Sequence, residues 1–437
     1  MKKYILIILC CLTSFPLWSY NVNMIVEHYS VDQGLPNNTV NCTLKDRDGF
    51  IWFGTWYGLC CFDGVKFKTF NKQEHDSDVP PRKIQRIVED KNGYIWVKTI
   101  DRKLYVFNKV TECFHAVYDD MKNYSENIQV IKLQNTAEGD VLLLTKDKNL
   151  LLAGVDEKGQ VTIKILFDSR DEINKHDYTL KHHVLCETEE YISWIGTDYK
   201  VSAVHKGAEL ASRPADFITS KINSGDKDSF TSFFEDGRKV WVGDRAGIFY
   251  SIDVRTGLVN RYVLSEIKGA ISNLLVTPAG YVYLSVAGQG TYEYDLAERR
   301  LQKINTEMND AMVTHAFIDQ YDKIWFHENE KALIYYDPLN HTAKRFPFTM
   351  FGKITTLYSE DAGERGLFFL SPAGEAWLFD REHAEMVYIN KLKQLSNDRT
   401  NQQFYHLMLD NDGVLWLSSA DEGVYCMNFP KKQFNLL

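Results

Sequence analysis

Residues 39–70 read TVNCTLKDRDGFIWFGTWYGLCCFDGVKFKTF, and residues 84–117 read IQRIVEDKNGYIWVKTIDRKLYVFNKVTECFHAV. Both pass through an apolar segment, an acidic Gly turn, an Ile-Trp pair, a polar turn, a second apolar segment and a last aromatic one. The same order returns from Phe230, Ile271, Val313 and Phe404. Within GFIWFGT and GYIWVKT the alternation has period two, which belongs to a strand with one packed face. The position of the Trp marks the repeat: Trp52, Trp96, Leu142, Trp194, Trp241, Tyr283, Trp325, Phe368 and Trp416. That is nine copies, with the copies at Leu142 and Trp194 degenerate.

Each copy holds four short strands. Asp48-Gly49, Asn92-Gly93 and Asp412-Gly413 are hairpin signals. No amphipathic helix of three turns stands out. Four strands every 40 to 50 residues predict an all-β chain, a β-propeller of four-stranded blades. One such sheet cannot bury both faces alone, whereas sheets stacked around an axis can, and the repeated Trp then fills the space between blades. Seven is a common closure. The expected layout is therefore a seven-bladed first ring over residues 21–348, with residues 349–437 supplying two further copies that begin a second ring. MIVEHYSV at 24–31 resembles an outermost strand without its partners and is the expected closing strand.

A hydrophobic fraction of 44% and an aromatic fraction of 13% exclude a disordered chain. A net charge of -9, without a long Lys/Arg run, argues against nucleic acid as a partner. Lys2 and Lys3 precede an apolar run from Tyr4 to about Leu17, the form of a signal peptide over residues 1–20. The run is short for a membrane helix. Export to the periplasm is the expectation, with membrane attachment only through an uncleaved signal or a further C-terminal part. Export permits disulfides, and Cys42 with Cys60 or Cys61 is the one pairing to test, because those residues fall on nearby strands.

GLPNNTVNCTLKDRDGFIWFGTWYGLCCFDGVKFKTF, residues 34–70, resembles the regulator-propeller repeat of hybrid two-component sensors from glycan-degrading gut anaerobes of the Bacteroides type. The matching pieces are Gly34-Leu35-Pro36, Asp48-Gly49, Ile51 to Thr55, Gly58-Leu59 and the FDG at 62–64. The resemblance implies an extracytoplasmic sensory region of a histidine kinase system, with an oligosaccharide as the cue and glycan-utilisation genes as the output. In that family two propellers are followed by a sandwich domain, a membrane helix, a kinase and DNA-binding modules. The sequence up to Leu437 shows none of these, so the chain itself is not expected to be an enzyme.

No P-loop, GxSxG elbow or HExxH helix occurs, and no cofactor or metal is expected. DRDG at 46–49 and DNDG at 410–413 mimic a calcium loop, but positions five and twelve are Phe50 and Tyr57 in the first and Val414 and Asp421 in the second. Both therefore read as hairpin turns. Ligand binding is expected at the propeller mouth, formed by the loops between second and third strands and those leading into the first. The candidates there are Asn37, Asn38, Trp56, Tyr57, Arg102, Tyr199, Arg245, Gln289, His327 and Asn329. Aromatic rings beside amides and guanidinium groups suit sugars, whose faces are apolar and whose edges are hydroxyls. Two other functions stay open: an exported propeller enzyme acting on polysaccharide, and an interaction scaffold without a small ligand. A second copy of the chain is a partner that the sequence leaves open.

Overall fold

The computed structural model describes residues 25–70, 80–122, 129–146, 149–167, 185–187, 190–195, 201–206, 230–304, 313–328, 331–351, 358–361, 366–371, 375–391 and 404–428. The expected signal peptide lies outside these residues. Among the described residues nine antiparallel sheets follow one another, eight of four strands and the fourth of three. A lone strand, β1 (Ile25–Tyr29), comes first. The first sheet is β2 (Val40–Lys45), β3 (Ile51–Thr55), β4 (Gly58–Phe62) and β5 (Phe67–Phe70). The second is β6 (Ile84–Glu89), β7 (Ile95–Thr99), β8 (Leu104–Asn108) and β9 (Cys113–Ala116). Both are simple meanders.

Strand register corrects the expected seven-plus-two layout. β1 pairs with Val424–Asn428 of the ninth copy, Glu27 opposite Cys426. The seventh copy already has four strands of its own, ending in Thr342–Pro347, and so has no place for a closing strand. The ninth copy has three, and β1 supplies its fourth. Nine apolar clusters each join two consecutive sheets, and one of them joins the ninth to the first, with Trp416, Val424 and Cys426 packed among Val40, Phe53 and Phe62. The described sheets thus close into a single ring of nine, which the eighth and ninth sheets, within residues 358–428, complete.

The repeat has a physical basis in its first turn. Asp46 is buried. Its Oδ1 accepts the backbone N–H of Asp48 and Phe50, and its Oδ2 accepts the Trp52 indole N–H at 2.7 Å. Asp90 holds Trp96 at 2.9 Å, Asp236 holds Trp241 at 2.7 Å, and Asp319 and Asp410 hold Trp325 and Trp416 at 3.3 Å. One carboxylate thus satisfies the turn and fixes the rotamer of the ring that fills the next interface. Where the anchor is Leu142 or Tyr283 the turn carries Thr136 or Thr277 instead, whose hydroxyl accepts a single backbone N–H. The calcium-loop mimics are therefore hairpin turns, as their sequence implies.

The proposed Cys42 bridge does not form: Cys42, Cys60 and Cys61 are free. β3 lies between β2 and β4, which holds the thiols two strands apart.

Candidate functional site

In most copies the first strand carries a bulge after its first residue: the register shifts between Val40 and Cys42, Ile84 and Arg86, and Ile271 and Asn273. Bulges at a barrel rim re-aim side chains. Above them, the loops of the mouth are laced by backbone hydrogen bonds. The Trp56 N–H donates to Thr39 O, and Trp56 O accepts Lys83 N–H of the next lead-in at 2.9 Å. Arg102 O accepts Val130 N–H at 2.9 Å, and Gly423 N–H donates to Asn38 O at 2.8 Å, which ties the ninth sheet to the first.

This lacing sorts the sequence-derived candidates. Trp56, at 40% exposed, and Tyr57, at 64%, project from the mouth, and the Lys83 ammonium lies 5.2 Å from the Trp56 ring centroid. Arg102 and Arg245 are exposed in the corresponding turns of the second and fifth sheets. Other candidates are committed to the frame. Asn37 Oδ1 accepts Thr39 N–H, Asn38 Oδ1 accepts Val31 N–H, and Gln289 accepts from Lys268 N–H at 2.7 Å while donating to Glu266 O at 3.0 Å. His327 belongs to the strand Ile324–Glu328, half-buried opposite His315 and 5.0 Å from the Phe348 ring, rather than to a loop. Tyr199 and Asn329 lie outside the described residues.

Sequence reading missed a set of basic groups just below these loops. Arg86 stands on β6 directly opposite Lys98 on β7. Lys98 is 6% exposed and its Nζ donates to Gln85 Oε1 at 2.7 Å. Burial, and then the guanidinium groups of Arg102 and Arg86, lower its pKa to about 8. Burial, and then Arg86, hold His406 of the ninth sheet down at about 4. The signal was present in the sequence: IWVKT departs from IWFGT at Lys98.

The opposite face, built from the Asp turns, is crowded with ion pairs that cross from sheet to sheet. Lys109 Nζ lies 3.1 Å from Asp46, 2.7 Å from Asp48 and 2.8 Å from Glu89. Burial opposes that ammonium, but its hydrogen bonds to Asp48, Glu89 and Asp46 together raise its pKa. These three carboxylates are close enough to hold a cation, and the ammonium takes that place. Lys45 reaches Asp410 and Asp412, Lys91 reaches Asp140, Lys206 reaches Glu138, Arg255 reaches Glu190, and Arg381 reaches Asp319.

Fold and loops together define a closed β-propeller with one face laced by backbone and the other zipped by charge. Residues 34–57, within the first copy, match the family model described as two component regulator propeller. No curated protein matches the chain. Among solved structures the chain is similar to the extracellular domain of BT4673 from B. thetaiotaomicron, named a one component system in one structure and a hybrid two component system in another. In the first of these the identity is 14%, the match covers 91% of this chain and 65% of that one, and the TM-score is 0.39. It is similar to the extracellular domain of BT3049 from the same organism at 14% identity, covering 94% and 61% with a TM-score of 0.32. It is also similar to virginiamycin B lyase from Staphylococcus aureus at 8% identity, covering 93% and 99% with a TM-score of 0.34. The chain spans less than two thirds of the length of the two B. thetaiotaomicron domains.

Proposed function

We propose that this chain is the extracytoplasmic ligand-sensing region of a two-component sensor, and that an oligosaccharide binds at the propeller mouth. The observation that carries the reading is the regulator-propeller repeat at residues 34–57, whose second hairpin presents Trp56 and Tyr57 on that face. An exposed indole and phenol can stack on sugar rings, while Arg102 and Arg245 from other blades donate to hydroxyls. The mouth turns are bonded through backbone to the next lead-in, so a ligand bridging two turns acts on the junction between two sheets. In this reading the output is control of glycan-utilisation genes through the rest of the sensor, and the chain performs no chemistry on its ligand.

Calorimetry against a panel of glycan fragments, with product analysis of the same mixtures, tests this. Binding without turnover supports the sensor. Turnover supports a propeller enzyme acting on polysaccharide, and silence in both assays supports a scaffold.

A further inference from the structure

We propose that Arg86, Lys98 and Arg102 form an oxyanion site at the inner edge of the mouth, taking a carboxylate or sulfate group carried on a saccharide. The proposal deepens the sensing reading and rests on it for the saccharide, while the anion site stands on its own geometry.

Three local costs meet at this one place. The first is a like-charge pair. Seven first strands have the bulge, and the residue after it faces a partner on the second strand: Cys42 and Gly54, Arg86 and Lys98, Lys132 and Leu144, Ser232 and Gly243, Asn273 and Ser285, His315 and His327, His406 and Ser418. Two side chains that both carry a full positive charge at neutral pH occur in this set at Arg86 and Lys98 alone, and like charges directly opposite one another are destabilising. Nor is a lysine the default of the repeat. At Gly54 an added Cβ would meet Cys42 Sγ at 2.5 Å, so that copy has no room for any side chain.

The second cost is burial. Lys98 is 6% exposed, and among the described residues neither it nor Arg86 nor Arg102 forms an ion pair with a carboxylate. The neighbouring Asp101 is engaged by Thr99 and Lys103 instead. The Lys98 ammonium has lost most of its water without gaining a counter-charge, while Arg86 across from it and Arg102 in the following turn are exposed. The third cost is backbone. Arg102 has φ +68°, at the turn position where the fifth sheet uses Gly247 with φ +82°. The left-handed backbone of Arg102 is shared with Lys83, Glu112, Arg299, Asp322, His341 and Ala384, whereas the like-charge pair of Arg86 and Lys98 is a repulsion that the other six bulges avoid. Strain concentrated in this way marks a functional site. An oxyanion placed among the three groups would remove the charge repulsion, and a guanidinium can grip a carboxylate or sulfate with two hydrogen bonds.

The test uses the full chain with Lys98→Met, which keeps the stem and removes the charge, and Arg86→Gln. The probes are a galacturonate hexamer, a sulfated disaccharide, a neutral glucose hexamer and inorganic sulfate. We expect the galacturonate hexamer or the sulfated disaccharide to bind the wild-type protein at low salt, and each variant to weaken that binding about tenfold. We expect Lys98→Met also to raise the Tm of the ligand-free protein, because it relieves the repulsion, whereas a lysine that merely braced the fold would lower it when lost. Equal affinity for charged and neutral hexamers, or a Lys98→Met protein that melts lower and binds anions as well as wild type, overturns the site. Neutral binding lost in Trp56→Ala, with no anion bound at all, leaves the sensing reading standing and removes this inference. A rise in Tm with inorganic sulfate that needs Lys98, with no saccharide bound, does the reverse.

Discussion

On the face of the Asp46 and Asp90 turns, Lys109 lies among three carboxylates, while near the mouth Arg86 stands across from Lys98 with no carboxylate paired to either among the described residues. The two faces carry the same kinds of residue and use them in opposite ways. Ion pairs such as Lys109–Asp46, Lys91–Asp140 and Arg381–Asp319 join neighbouring sheets, so the side chains of that face are consumed in holding the ring. At the mouth neighbouring loops are joined through backbone, as in Trp56 O with Lys83 N–H, and although amides such as Asn37, Asn38 and Gln289 brace the loops, Trp56, Tyr57, Arg102 and Arg245 are left exposed. Surfaces whose frame is supplied by backbone can vary their side chains without loss of fold.

The largest effect should come from breaking ring closure itself. Removing the chain through Tyr29 uncovers Val424–Asn428 and takes the Tyr29 ring out of its cluster with Phe62 and Phe67. A thermal melt should fall further than for any single substitution, and the exposed strand edge should promote aggregation. A truncated protein that melts like the full chain would mean that β1 does not close the ring.

Next in size is the interior of one blade. Trp96→Ala should cost about 3–5 kcal/mol by denaturant unfolding, because the indole is fully buried between the second and third sheets. Asp90→Ala leaves the Trp96 indole and the N–H groups of Asn92, Tyr94 and Val155 short of an acceptor, at a cost of about 2–3 kcal/mol. The two losses should be less than additive, since each removes the same bond.

Much of this was legible in the sequence. The Asp-Gly turn and the Trp that follows it define a blade because one carboxylate serves both. Four strands per copy, Trp as an interface filler and the hairpin reading of DRDG all follow from that local chemistry. The number of blades was not legible, because MIVEHYSV carries no mark of which sheet it completes. Only the vacancy left by a ninth copy with three strands decides it. The site was half legible. Trp56 and Tyr57 stand out as aromatic residues in a turn, but Asn37, Asn38 and Gln289 look like free amides until their backbone partners are seen. Lys98 went unread because it sits inside a strand, where a single departure from the repeat looks like ordinary variation.

A smaller effect concerns pH. His406 titrates near 4 in the folded chain against about 6.5 for a free imidazole, so the unfolded chain binds the extra proton first as pH falls. Its contribution to stability should be complete above about pH 6.5, decline by up to about 1.4 kcal/mol per pH unit on the way to pH 4, and level off below. Unfolding free energies of His406→Gln should show a shallower slope than wild type across that window. An unchanged slope would place His406 in water rather than beside Arg86.

The division of labour between the faces is tested most directly by one titration series: the oligosaccharide that binds the wild-type protein, titrated by calorimetry into Trp56→Ala and Lys109→Ala. Trp56→Ala should weaken binding about tenfold while holding stability within about 0.5 kcal/mol. Lys109→Ala should leave the affinity as it was and lower stability by about 2 kcal/mol, since Asp46 and Glu89 lose a shared partner. Weakened binding in Lys109→Ala with full affinity in Trp56→Ala would put the ligand on the ion-paired face and contradict the account.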